Sequence, residues 1–134
     1  MTRVFIVEDE FLIAMEMESV VRDLGHECVG TADDLETALS RASAEIDVAL
    51  VDVNLADGAT GPVVGARLAQ EFGAEVIFVT ANPAQLGDGV DGALGAVEKP
   101  VSLTILKDVL NYLMAVRRGE NPSPPEQLRL FDQS

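Results

Sequence analysis

Three apolar runs punctuate the chain: Val4-Phe5-Ile6-Val7, Val48-Ala49-Leu50-Val51 and Val76-Ile77-Phe78-Val79. None alternates with polar residues, and each is short and ends abruptly, as in strands buried on both faces of a parallel sheet. Between them, apolar residues recur at helical spacing. Ile13, Met17, Val20, Val21 and Leu24 predict a first helix, stopped by Gly25. Leu35, Ala38, Leu39 and Ala42 predict a second, with Asp33 or Asp34 as its cap. Val64, Leu68 and Phe72 predict a third, opened by Pro62 and closed by Gly73. Leu103, Leu106, Leu110 and Leu113 predict the last, starting near Ser102.

Cys28 to Thr31 and the glycine-interrupted stretch from Ala93 to Val97 complete the set as short strands. Strand and helix alternate five times, which predicts a doubly wound parallel sheet with right-handed crossovers. The stretch 82–92 breaks the rhythm. Pro83, Gly87, Gly89 and Gly92 predict a short or absent fourth helix. From Gly119 the composition shifts to a Pro-rich linker and tail, so the domain is assigned to residues 1–118 and the tail to 119–134. Its prolines favour disorder; the alternative is that Leu128, Leu130 and Phe131 dock on this domain, on a second protomer or on a partner.

Bulk properties narrow the function. A chain of 134 residues supports one domain, and a net charge of −14 excludes a nucleic-acid surface and disfavours anionic membranes. No leader and no membrane-length apolar run is present, which predicts a soluble, cytoplasmic protein. One cysteine, Cys28, rules out an internal disulfide, and one histidine, His26, rules out a His-rich metal site. Cys28 and the pair Met15 and Met17 read as core residues, and His26 as a solvated turn residue.

Four predicted strands end in polar groups: Glu8 and Asp9, Asp52, Thr80, and Lys99. In a parallel sheet these ends share one edge, where ligands bind. Gathered carboxylates repel unless a positive charge lies between them. Mg²⁺ suits such a site, since it takes one or two carboxylates, keeps waters and binds phosphate oxygens. Asp9 and Asp52 are the expected direct ligands. The backbone carbonyl of Asn54 completes the set, and Glu8 holds a bound water. Asp9 is also expected to share in capping the first helix. Asp52 is the expected nucleophile and phosphoacceptor, with Lys99, the Thr80 hydroxyl and nearby N–H groups neutralising the phosphoryl oxygens.

This constellation resembles the receiver domain of two-component response regulators. The match runs through Glu8-Asp9, Asp52, Asn54-Leu55-Ala56-Asp57-Gly58, Thr80-Ala81 and Lys99-Pro100, and covers roughly residues 1–118. It implies a flavodoxin-like sheet of five parallel strands in the order 2-1-3-4-5, a Mg²⁺ cofactor and a cis Lys99-Pro100 bond. It implies as phosphodonor a histidine kinase or histidine phosphotransfer protein. The segment Leu12-Ile13-Ala14-Met15 is similar, less specifically, to single-domain receivers.

Two features depart from the family. Ala96 stands where the family has Tyr or Phe, three residues before its lysine, and the fourth helix lacks its usual sequence. A nonstandard output face is expected, with 82–92 mobile without phosphate and ordered by it. The leading function is a stand-alone receiver, not an enzyme, acting on an unknown downstream protein or as a phosphate sink, with a homodimer left open. A phosphatase with an aspartyl nucleophile is the enzymatic alternative, although Asn54 stands where that class wants a second acid. A pseudo-receiver that binds without taking phosphate is the other.

Overall fold

The computed structural model describes residues 2–131. Its elements follow the predicted alternation: β1 Arg3–Val7, α1 Phe11–Asp23, β2 Glu27–Ala32, α2 Leu35–Arg41, β3 Val48–Val51, α3 Gly61–Phe72, β4 Glu75–Thr80, β5 Ala93–Glu98 and α4 Leu103–Arg117. A sixth strand, β6 Leu128–Leu130, follows α4. The sheet order is β2-β1-β3-β4-β5-β6. The first five strands are parallel, in the expected order 2-1-3-4-5. The sixth lies antiparallel on β5, so the expected five-stranded sheet gains a strand from the tail.

Strand side chains explain the unbroken apolar runs. Val4 and Ile6 of β1, Leu50 of β3 and Ile77 of β4 pack against Met17 and Val20 of α1 and Val109 and Leu110 of α4. Phe5, Val51 and Phe78 point the other way, against Ala38 of α2 and Val64 and Leu68 of α3. Because both faces are covered, every position of β3 is buried and no polar alternation remains.

The helix ends match their chemistry. Asp34 caps α2, accepting a 2.7 Å hydrogen bond from the Thr37 N–H, and Ser102 caps α4 by accepting one of 3.1 Å from Ile105. Pro62 sits in the first turn of α3, and Gly73 ends that helix at φ 73°. At α1 the expectation fails: the N-cap residue is Glu10 and it makes no side-chain cap bond, so Asp9 takes no part in capping. Met17 is core as expected, whereas Met15 is half exposed, because only one of the pair falls on the inner stripe of α1. His26 is not purely solvated, since its Nδ1 accepts a 3.3 Å hydrogen bond from the Thr2 N–H.

Between β4 and β5 there is no α-helix, only a single 3-10 turn, Pro83–Leu86. The face of β4 and β5 that a fourth helix would cover is closed by Leu86, Val90 and Phe131 instead. Residues 128–131 are therefore docked on their own domain, and the disorder expected from their prolines does not apply to them. Prolines rule out helix and central strand in the linker, but they place no constraint on the residues beyond it.

Candidate functional site

Asp52 is the first residue after β3. Its N–H donates to Val7 O at 2.9 Å, which continues the ladder and fixes the carboxylate at the sheet edge. Glu8 leaves β1 in the same way, donating to Ala32 O at 2.9 Å. Lys99 leaves β5 with its N–H on Thr80 O at 2.8 Å. The Lys99-Pro100 bond is cis, as the resemblance implies. The parallel register thus delivers residues from four strands to one edge.

There the Lys99 ammonium bridges two acids, with Nζ 2.7 Å from Asp52 Oδ2 and 2.6 Å from Glu8 Oε1. The other Glu8 oxygen accepts from the Glu10 N–H at 3.1 Å. Glu8 and Asp52 are buried, and Asp9 is exposed beside them. Glu8, Asp9 and Asp52 each present a carboxylate oxygen within 4.8 Å of the others. One ammonium shared by two buried carboxylates does not neutralise both. Burial therefore pushes Glu8 up to about 7, against the lowering effect of its bonds to Lys99 and the Glu10 N–H, with Asp52 adding repulsion. For Lys99, burial favours the neutral amine. Its bonds to Asp52 and Glu8 outweigh that, and its pKa rises. A site of three acids and one ammonium fits a hard divalent cation by its donor set alone.

The loop after Asp52 is tightly held. Leu55 and Gly58 exchange backbone hydrogen bonds of 2.8 and 3.0 Å. Asp57 accepts from the Thr60 hydroxyl at 2.6 Å and from the Leu35 N–H at 3.2 Å, tying the loop to α2. Gly61 lies so close to Asp52 that a Cβ there would collide with the Asp52 carbonyl oxygen. Thr80 is fully buried at the end of β4, and its Oγ1 accepts from the Asn82 N–H at 3.2 Å.

The structure thus brings together Glu8, Asp9, Asp52 and Lys99, and places Thr80 at the neighbouring strand end. Sequence reasoning aimed Lys99 at a phosphoryl oxygen and missed its pairing with Glu8, which joins residues 91 positions apart. It also missed the amide pair between Asn54 and Gln85, in which Asn54 Nδ2 donates to Gln85 Oε1 at 3.1 Å. No periodic or spacing signal in the sequence announces either.

A family model described as "Response regulator receiver domain" matches residues 4–111. The chain belongs to this family. Among curated proteins, this receiver is 40% identical over 84 residues to the phyllosphere-induced regulator PhyR of Methylorubrum extorquens, covering 61% of the chain and 32% of that protein. The match thus spans about a third of that relative's length. Among solved structures, the PhyR receiver domain of Erythrobacter litoralis aligns with a TM-score of 0.74 and 33% identity, covering 92% of this chain and 95% of that one. SdrG of Sphingomonas melonis Fr1 aligns with a TM-score of 0.63 and 31% identity, covering 85% and 97%. Among the described residues of the receiver, no helix is long and apolar enough to cross a membrane.

Proposed function

We propose that this receiver takes a phosphoryl group on Asp52 from the phosphohistidine of a histidine kinase or histidine phosphotransfer protein. The observation that carries this reading is the Lys99 ammonium held between the buried Asp52 and Glu8, with Asp9 beside them. An Asp52 oxygen attacks phosphorus, the P–N bond breaks, and its electron pair leaves with the donor imidazole. The product is an acyl phosphate on Asp52. Lys99 keeps its charge and turns from the carboxylates toward a phosphoryl oxygen. The Thr80 hydroxyl and the N–H groups following Asp52 and Thr80 donate to the others. Asp9, Asp52 and the Asn54 carbonyl would hold Mg²⁺, with Glu8 accepting from a bound water. When bound, the ion supplies positive charge against the acids and the transferring group.

The phosphorylated receiver then acts by contact with a downstream protein, or drains phosphate from its donor, in the cytoplasm. The test is incubation with Mg²⁺ and phosphoramidate, read by intact mass. One added phosphoryl group, absent from Asp52→Asn, is the expected result. No addition, or addition to both proteins, overturns the reading.

A further inference from the structure

The phosphoacceptor site makes no use of the last described residues, yet backbone pairing, a buried ring and a guanidinium all hold them to the domain. Leu128, Arg129 and Leu130 pair antiparallel with Val97, Ala96 and Gly95. The Phe131 N–H donates to Leu94 O at 2.9 Å. Phe131 is buried and its ring lies 6.3 Å from that of Phe78. The Arg129 guanidinium donates to the Gly87 carbonyl and sits 5.8 Å above the Phe131 ring.

Two glycines are shaped to this tail. A Cβ at Gly95 would collide with the Arg129 carbonyl oxygen, and its three nearest atoms all belong to the tail. A Cβ at Gly89 would lie 2.7 Å from the Phe131 ring, and its three nearest atoms all belong to Phe131. The glycine that weakens β5 in the sequence is therefore the place where another backbone approaches.

The grip falls on the stretch that also meets the phosphoacceptor. Gln85 pairs with Asn54, two residues past Asp52, and Asn82 donates to Thr80. Gly87 and Gly89, held by Arg129 and Phe131, lie within the same turn-rich segment. The segment expected to be mobile until phosphorylated has contacts to the site at one end and to the tail at the other.

We infer that residues 128–131 are a strap whose docking is coupled to the charge state of Asp52, and that phosphorylation releases it. This rests on the phosphoacceptor reading above. A phosphoryl group on Asp52 competes for the Thr80 hydroxyl and for the N–H groups after it. When Thr80 turns to donate, the Asn82 N–H loses its acceptor and the 82–89 stretch shifts. A ring seated against a glycine and a guanidinium seated on one carbonyl tolerate little displacement. A three-residue edge strand is also the cheapest element of the sheet to detach. Coupling is reciprocal, so removing the strap favours the phosphorylated state by the same factor.

Trypsin reads the strap directly, because cleavage after Arg129 needs this strand to be open and removes residues 130–134. The full chain is incubated with Mg²⁺, with and without phosphoramidate, weighed intact, and then exposed to dilute trypsin. Phosphorylated protein loses residues 130–134 at least about fivefold faster, and Asp52→Asn shows no acceleration. Gly95→Ala and Phe131→Ala lose them rapidly under both conditions. A phosphoryl adduct with unchanged or slower cleavage overturns the strap and leaves the phosphoacceptor standing. No adduct overturns both. Slow cleavage of both variants shows that the tail is not what protects Arg129, and also overturns the strap.

Discussion

Lys99 Nζ lies 2.7 Å from Asp52 Oδ2 and joins the ends of β3 and β5 across 47 positions of chain. The same ammonium holds Glu8, so its removal strands two buried carboxylates. Lys99→Met is expected to cost roughly 3 kcal/mol in the absence of metal. Urea denaturation with EDTA checks this. Adding Mg²⁺ recovers more stability in the variant than in the natural protein, since the ion takes over the missing positive charge. An unchanged urea midpoint in EDTA would contradict the pairing.

Asp9 allows metal binding to be tested apart from folding. It is exposed, so Asp9→Asn shifts metal-free stability by no more than about 0.5 kcal/mol. Mg²⁺ at a hundred times its Kd stabilises the natural protein by about 2.7 kcal/mol. Thermal denaturation with and without Mg²⁺ should show most of that gain missing from the variant. An equal Mg²⁺ response in both proteins would remove Asp9 from the ligand set.

Gly61 tests how closely α3 is fitted to Asp52. Alanine is the better helix former by about 1 kcal/mol. Here its Cβ collides with the Asp52 carbonyl and crowds Val53, and backbone atoms cannot swing aside as a flexible side chain can. Overpacking of this kind costs typically ~1–3 kcal/mol, occasionally more, so the clash wins. Gly61→Ala lowers the urea midpoint and slows phosphorylation by phosphoramidate. A gain in stability would mean that α3 slides freely past Asp52.

Cys28 supplies a pH test far from the site. Burial pushes its thiol up, ahead of smaller effects from the Gly30 carbonyl, Glu18 and Arg22. The folded thiol keeps its proton where the unfolded one has lost it. Alkylation by iodoacetamide at pH 8 is therefore slower in the folded protein than in urea. Because the unfolded chain releases this proton first, Cys28 makes stability fall as pH rises through the ordinary thiol range. Equal alkylation rates in both states would show the thiol to be open.

The sequence exposed what local chemistry governs. Unbroken apolar runs marked strands covered on both faces, and Gly73, Asp34 and Ser102 marked helix ends that their own backbone groups require. Acids, a threonine and a lysine at strand ends were enough to say which side chains would share an edge, because a parallel sheet delivers every carboxyl end to one side. The dense glycine and proline content of 82–92 announced the missing helix for the same local reason.

The sequence left the tail between disorder and docking, and it misjudged Asp9 at α1 and the exposure of Met15. A strand of three residues carries no periodicity to read, and Leu128 and Phe131 become core residues only because β5 offers them an edge and Gly89 a seat. In the same way nothing near Lys99 says that Glu8 will share its charge. The strands and their polar termini were decided by residues a few positions apart. The pairing of Lys99 with Glu8, of Asn54 with Gln85 and of Phe131 with Gly89 was decided by packing, which joins residues that no local rule connects.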